Sequence, residues 1–136
     1  MSCPRCGADL VAFAVPPAIR EHAPAPTAAI CTRCLRTFAA DGSDGGVEVD
    51  GSDSASLADP DFSAVDPAFP DGEAGAALAL VCGKLESFAL NRASIEALVD
   101  HAERSGADVF AFLERLDAAD AAFDLDRRRA ALLDVL

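Results

Sequence analysis

Two Cys-x-x-Cys pairs constrain the fold of this chain more than any other feature of its sequence. Cys3 and Cys6 form the first pair, and Cys31 and Cys34 form the second. Two thiolates spaced in this way bind one tetrahedral ion, and Gly7 permits the positive φ that the chain needs where it turns back past the sulfurs. We therefore predict one metal site with these four cysteines as its ligands.

The energetics of a short segment favour a metal at this site. A segment of about 40 residues rarely folds around its own apolar core, and closing a loop of this size costs roughly 3 kcal/mol. Structural zinc supplies about 10–16 kcal/mol at neutral pH, so its binding outweighs that cost. Four sulfur ligands close the coordination sphere, which leaves no position for a reactive water. We expect one structural Zn²⁺ and no enzymatic activity.

Other uses of these side chains are weaker alternatives. Iron also accepts four sulfur ligands, but small iron proteins with this spacing usually pack the site with Tyr and Trp, and this chain has neither. A thioredoxin-like redox pair needs a single Cys-x-x-Cys in a βαβ unit, which the pattern does not predict. His22 lies between the two pairs, but four cysteines already complete the set. Cys82 falls on an apolar helical stripe, which predicts a small buried side chain.

The charge of the chain indicates the salt concentration and the compartment in which the protein works. The formal net charge is −12, Asp outnumbers Glu by 16 to 7, and Lys84 is the only lysine beside ten arginines. Such a surface suits a cytosol with molar salt, where repulsion between carboxylates is screened within about 3 Å. No signal peptide is evident, and the longest apolar run, residues 76–82, is too short to span a membrane. We expect a halophilic, cytoplasmic protein with reduced thiols and no membrane partner.

The pattern divides the chain into three parts. Residues 1–40 form the predicted zinc ribbon, with short strands at 10–15, 28–30 and 35–39 and a helical turn at 18–22. Residues 41–72 form an acidic linker rich in Asp, Gly and Ser, followed by an extended segment. The apolar side chains of that segment are expected to lie against the helical part; they are Leu57, Phe62, Val65 and Phe69.

Residues 73–136 show helical periodicity. Asn91 is the expected N-cap of a second helix, and Gly106 ends it. Asp108 caps a third helix, and Asp124 or Asp126 opens a last one. The expected inward-facing side chains of the successive helices are Leu78, Cys82, Leu85 and Ala89; Ile95, Leu98, Val99 and Ala102; Val109, Phe112, Leu113 and Leu116; and Leu132, Leu133 and Leu136. Short connections make these helices antiparallel neighbours in a bundle of three to four helices, so the fold class is α+β.

The residues around both cysteine pairs resemble those of a known group. Cys-Pro-Arg-Cys-Gly at residues 3–7 is similar to the knuckle of small zinc-ribbon proteins that abound in halophilic archaea. The segment from Phe69 through Arg92 to Arg128 also resembles an uncharacterised haloarchaeal family with a ribbon followed by helices. That resemblance implies a class and a compartment but no reaction. Leu35 follows the second pair where the knuckle usually has Gly, so we expect the second knuckle to be less regular.

These observations favour a non-enzymatic module. We expect the ribbon and the helices to bind a protein partner or a second copy of the chain. The alternative is a nucleic-acid-associated regulator, because residues 1–40 carry a formal charge of +2 from four arginines. No aromatic platform accompanies those arginines, and the predicted third helix is acidic and apolar, which is the wrong surface for a DNA groove.

Overall fold

The protein combines a small sheet with a set of helices. The computed structural model describes residues 3–23, 25–40, 60–85, 87–116 and 125–135. Its strands are β1 (Leu10–Ala14), β2 (Thr27–Cys31) and β3 (Thr37–Ala39), and its α-helices are α1 (Gly72–Leu85), α2 (Phe88–Arg104), α3 (Val109–Arg115) and α4 (Leu125–Val135). Two short 3₁₀ helices, Pro17–His22 and Phe62–Ala64, complete the order. The predicted α+β class is confirmed. Residues 41–59 of the predicted linker and extended segment, Leu57 among them, lie outside the described residues.

The three strands form one antiparallel sheet with β2 in the centre. Leu10 pairs with Cys31 across β1 and β2, and Ala28 pairs with Ala39 across β2 and β3. All three predicted strands are present, although β3 begins two residues later than predicted. Pro16 precedes the 3₁₀ helix that replaces the predicted helical turn, and the fixed φ of Pro17 suits its first turn.

Both faces of β2 are buried. Ala28 and Ile30 point to the helices, whereas Ala29 and Cys31 point to the cysteine cluster. Residues 28–31 of β2 contain no charged or hydroxyl side chain, as expected for a strand covered on both sides. Phe13 of β1 joins the helical face, so the sheet and the helices share one apolar core. The division of the chain at residues 40 and 73 stays a prediction.

The first two helices form an antiparallel hairpin against the sheet. α1 ends at Leu85 and α2 begins at Phe88, so the predicted extension of α1 to Ala89 is wrong. Ala89 is exposed in the first turn of α2, where Asn91 also lies. Asn91 is therefore not the N-cap; Ser87 holds that position, and the Asn91 side-chain amide donates to its carbonyl at 3.0 Å. The prediction was wrong because the apolar stripe of α1 continues in the same helical phase across the two residues between Leu85 and Phe88.

The C-terminus of α2 and the N-terminus of α3 lie where the sequence predicts them. Gly106 has φ +98°, its N–H donates to the Glu103 carbonyl, and the Ala107 N–H donates to the Ala102 carbonyl. These two bonds form a Schellman motif, which ends α2. The Asp108 carboxylate accepts the Ala111 N–H at 3.0 Å and caps α3.

The last helix packs on the third through few contacts. Leu132 is fully buried, and the Arg129 guanidinium donates to the Leu116 carbonyl at 2.6 Å. The helix begins at Leu125, while the alternative start at Asp124 and the predicted inward Leu136 lie outside the described residues.

A row of phenylalanines ties the segment before α1 to the core. Phe62 lies with its ring centroid 5.3 Å from that of Phe13 and 5.8 Å from that of Phe69. The Phe69 ring lies 4.8 Å from that of Phe112 in α3. The prediction that this segment lies against the helical part is confirmed. Among the helices of the described ranges, none combines the length and apolar character that a membrane span requires.

Candidate metal centre

The four predicted ligands lie together. The sulfur atoms of Cys3, Cys6, Cys31 and Cys34 are all within 4.8 Å of one another. Cys3 Sγ lies 3.8 Å from Cys34 Sγ, and Cys6 Sγ lies 3.3 Å from Cys31 Sγ. Tetrahedral zinc with Zn–S bonds of about 2.3 Å requires sulfurs about 3.8 Å apart, and a disulfide requires about 2.05 Å. The donor set and its spacing therefore fit one metal ion, and all four cysteines are free thiols.

The first knuckle is built by short backbone hydrogen bonds. The Arg5 N–H donates to Cys3 Sγ at 3.4 Å, and the Gly7 N–H donates to the Cys3 carbonyl at 2.9 Å. The Cys3 N–H in turn donates to the Ala8 carbonyl at 2.7 Å. Gly7 has φ +81°, the conformation for which the sequence predicted a glycine.

The second knuckle repeats the N–H to sulfur bond and the bond that closes the turn, while, in the described part of the chain, no bond from Leu35 to Cys31 matches that from Gly7 to Cys3. The Arg33 N–H donates to Cys31 Sγ at 3.4 Å, and the Cys31 N–H donates to the Arg36 carbonyl at 2.8 Å. Leu35 occupies the position of Gly7 and adopts φ +63°. Its side chain is only 1% exposed and belongs to the core shared with the helices. Burial of that side chain offsets the cost of about 1–2 kcal/mol that a left-handed residue with a Cβ carries.

The β1–β2 pairing brings the two knuckles to one point. Cys31 is the last residue of β2 and pairs with Leu10, which follows the first knuckle closely in sequence. The Thr32 N–H and hydroxyl both donate to the Asp9 carbonyl, at 3.0 and 2.9 Å. These bonds fix the end of β2 to the start of β1, so each pair of sulfurs faces the other.

Two findings from known proteins bear on this chain. A family model described as a family of unknown function, DUF6276, matches residues 2–136. The chain belongs to DUF6276. No curated protein and no solved structure is significantly similar to it. Membership of DUF6276 brings no activity with it, so the role has to be inferred from the residues of the chain itself.

The thiols of this DUF6276 member differ in their acidity. Hydrogen bonding from the Ala8 backbone, followed by the side chain of Cys31, lowers the pKa of Cys6 to about 7. Burial raises the pKa of Cys31 and raises that of Cys34 to about 12. The exposed thiol of Cys6 therefore loses its proton at a lower pH than the thiols of Cys31 and Cys34. A divalent ion has to displace the remaining protons, so metal affinity rises with pH.

The other singled-out side chains lie away from the cluster. His22 is half-buried, and its Nε2 lies 3.6 Å from a Glu21 carboxylate oxygen. His101 Nε2 lies 3.3 Å from a Glu73 carboxylate oxygen, although the geometry does not make a hydrogen bond. Cys82 is 1% exposed in α1, and burial, followed by the charge of Asp66, raises its pKa to about 12. This thiol is a buried apolar side chain, as its place on the stripe predicts.

Sequence reasoning missed two features of the protein, one in the second knuckle and one outside the cysteine cluster. The left-handed Leu35 was missed because only Gly and Asn signal a positive φ in sequence, whereas Leu35 is retained by tertiary burial. A cavity beside Lys84 was also missed, because it is formed by residues from three separate segments. The one available signal was that Lys84 is the only lysine in a strongly acidic chain.

Proposed function

We propose that the chain is a non-enzymatic zinc-ribbon protein that holds one structural zinc ion and acts as an interaction or regulatory module. The observation that carries this proposal is the cluster of four sulfurs within 4.8 Å of one another. Four thiolates leave a closed tetrahedral site, so the ion cross-links the two knuckles and activates no water. Zinc is favoured over iron because the chain has no Tyr or Trp to pack around an iron site.

Metal analysis of two matched cysteine variants tests the zinc assignment. We expect one zinc per chain in the wild type and in Cys82→Ala, because Cys82 lies in α1 outside the cluster. Cys31→Ser removes one of the two ligands of the second knuckle and is expected to lose most of the metal. Iron in the purified wild type, or full zinc in Cys31→Ser, would contradict the assignment.

Two exposed apolar side chains support a protein-binding role. Leu90 at the start of α2 is 88% exposed, and Phe110 in α3 is 48% exposed. Light scattering over a concentration series in molar KCl tests self-association. We expect any dimer to weaken in Leu90→Ser and to persist in Ala93→Ser, an exposed position in the same helix. If the partner is a different protein, the wild type should capture one defined protein, and Leu90→Ser should no longer capture it.

A nucleic-acid-associated regulator is the second candidate, and one observation favours it. Arg5 and Arg33 occupy equivalent positions of the two knuckles, and both are exposed. Fluorescence anisotropy of labelled duplex DNA and RNA across a KCl series tests this role, because phosphate contacts make affinity fall steeply with salt. Binding that Arg5→Gln and Arg33→Gln abolish, but that Arg104→Gln leaves intact, would support it. Absence of binding by the wild type would reject it.

We also infer a cytoplasmic location at high salt. Its support is the net charge of −12, together with five cysteines that are all free thiols. Stability that rises steadily between low and molar KCl would agree with this setting, since carboxylate repulsion is screened there.

A further inference from the structure

A cavity lies where the sheet, the first 3₁₀ helix and the α1–α2 hairpin meet. Its volume is about 290 Å³. Its polar lining comes from three segments of the chain: Glu21 and His22 from the 3₁₀ helix, Thr37 from β3, and Lys84, Asn91 and Ser94 from the hairpin. The cavity is separate from the four-cysteine cluster, because none of those cysteines lines it.

Lys84 is the unusual member of this lining. It is the only lysine of a chain with 23 acidic residues, and burial lowers the pKa of its ammonium group. Within the described parts of the chain, Lys84 makes no ion pair with Asp or Glu, whereas five of the other basic side chains have a carboxylate within ion-pair distance: His22, Arg92, His101, Arg104 and Arg129. A partly desolvated cation without a counter-ion is costly, so an anion that fills the cavity would be stabilised there.

The neighbouring polar groups show which bonds are left for a ligand. The Thr37 hydroxyl already donates to the Ala79 carbonyl at 3.0 Å, and the Asn91 amide already donates to Ser87. The Ser94 hydroxyl makes no hydrogen bond within the described residues, and Ser94 follows Asn91 by one turn on the same helical face. On β3 and the hairpin, the Lys84 ammonium, the Ser94 hydroxyl and the second N–H of the Asn91 amide therefore remain as donors. On the 3₁₀ helix, the Glu21 carboxylate lies 3.6 Å from His22 Nε2.

We propose that this cavity binds a small molecule that carries an oxyanion, a phosphate or carboxylate group, with Lys84 Nζ as its counter-ion and the Ser94 hydroxyl as a second donor. The volume lies at the lower limit of small-molecule sites, so the ligand is a small metabolite and not a peptide. The cavity touches both the sheet that ends in the metal ligands and the helical hairpin. A bound anion therefore stabilises the junction between these two parts.

The single lysine makes a direct test possible. The zinc-loaded full chain is labelled with ¹⁵N and ¹³C in lysine, so its side-chain spectrum reports Lys84 alone. Inorganic phosphate, acetate and chloride are titrated separately at constant ionic strength. We expect saturable shifts of the Lys84 Cε and Nζ resonances with phosphate or acetate, with a Kd of about 1 mM or tighter, and only a linear drift with chloride. Which of the two saturates identifies the oxyanion.

Variants decide whether the cavity is the site. Calorimetric titration of the saturating anion should weaken at least tenfold in Lys84→Met. Binding should stay unchanged in Arg92→Met, which removes an exposed charge on α2. Ser94→Ala keeps the Lys84 cation and should weaken binding by a smaller factor. This variant tests the site if Lys84→Met does not fold. Absence of saturation with both oxyanions, or equal affinity in Lys84→Met and the wild type, would overturn the proposal. Zinc content should be one per chain in every variant.

Discussion

Gly83→Ala tests the contact between α1 and β3 that joins the sheet to the helices. A Cβ at Gly83 would lie 2.5 Å from both Cβ and Oγ1 of Thr37 and 3.3 Å from the Thr37 nitrogen. Thr37 cannot turn away, because its Cβ is fixed to β3 and its hydroxyl holds the Ala79 carbonyl at 3.0 Å. Overpacking of this kind costs about 1–3 kcal/mol, and losing the hydrogen bond costs about 1 kcal/mol more. The better helix propensity of Ala returns up to about 1 kcal/mol.

We therefore expect Gly83→Ala to lower the free energy of unfolding by about 1–3 kcal/mol. The assay is guanidinium unfolding of zinc-loaded proteins, followed by circular dichroism at the helical band. Ala93→Gly, at an exposed position of α2, measures the propensity term alone and should cost about 1 kcal/mol. If Gly83→Ala were as stable as the wild type or more so, α1 and β3 could not approach as closely as described here.

The remaining predictions concern the left-handed residue, a helix cap, a buried thiol and the metal. Leu35→Ala should lower the free energy of unfolding by about 2–5 kcal/mol. Leu35→Gly should lower it by less, although it deletes more of the side chain, because it also relieves the left-handed strain. Thermal unfolding of the two variants gives this order, and the reverse order would contradict the prediction. Asp108→Ala should cost about 1 kcal/mol, whereas Asp108→Ser should restore most of that loss in the same unfolding assay. The pKa of Cys82 rises from 9.0 to about 12 on folding, so the unfolded chain loses this proton at a lower pH than the folded chain. The free energy of unfolding should therefore fall from pH 9 toward pH 12. Cys82→Ala should flatten that decrease in a pH series of unfolding curves. Chelation of the metal, or Cys31→Ser, should reduce helical dichroism as well as sheet structure, and an unchanged helical signal would show that the core is not cooperative.

Local signals were sufficient to predict the elements and the cysteine cluster. The alternation of Val11, Phe13 and Val15 predicted the face of β1 that packs on the helices, and that face is observed. Gly106 and Asp108 predicted a helix end and a helix start, because a positive φ and a side-chain cap are properties of single residues. The spacing within each cysteine pair depends only on the local turn, so it predicted which sulfurs lie together in each knuckle.

What could not be predicted depends on distant parts of the chain. Periodicity could not place the break between α1 and α2, because the apolar stripe runs on through Ala89 in the same phase. The left-handed Leu35 depends on helices that follow it by dozens of residues. Two-sided burial of β2 was equally hidden, since an apolar run such as residues 28–31 suits a covered strand or a short helix. The cavity at Lys84 needs three segments to meet, which no local pattern encodes.

The shared core changes how the metal contributes to this protein. Ile30 and Leu35 flank Cys31 and Cys34 along the chain, yet both side chains pack with the helices and not with the sulfurs. An ion held by the four sulfurs would therefore fix two residues whose apolar neighbours complete the helical core on the other side of the sheet. Zinc binding supplies about 10–16 kcal/mol, whereas a domain of this size has a net stability of about 5–15 kcal/mol. Because the first quantity matches or exceeds the second, we expect the helices of this chain to depend on zinc binding at a site to which none of them contributes a ligand.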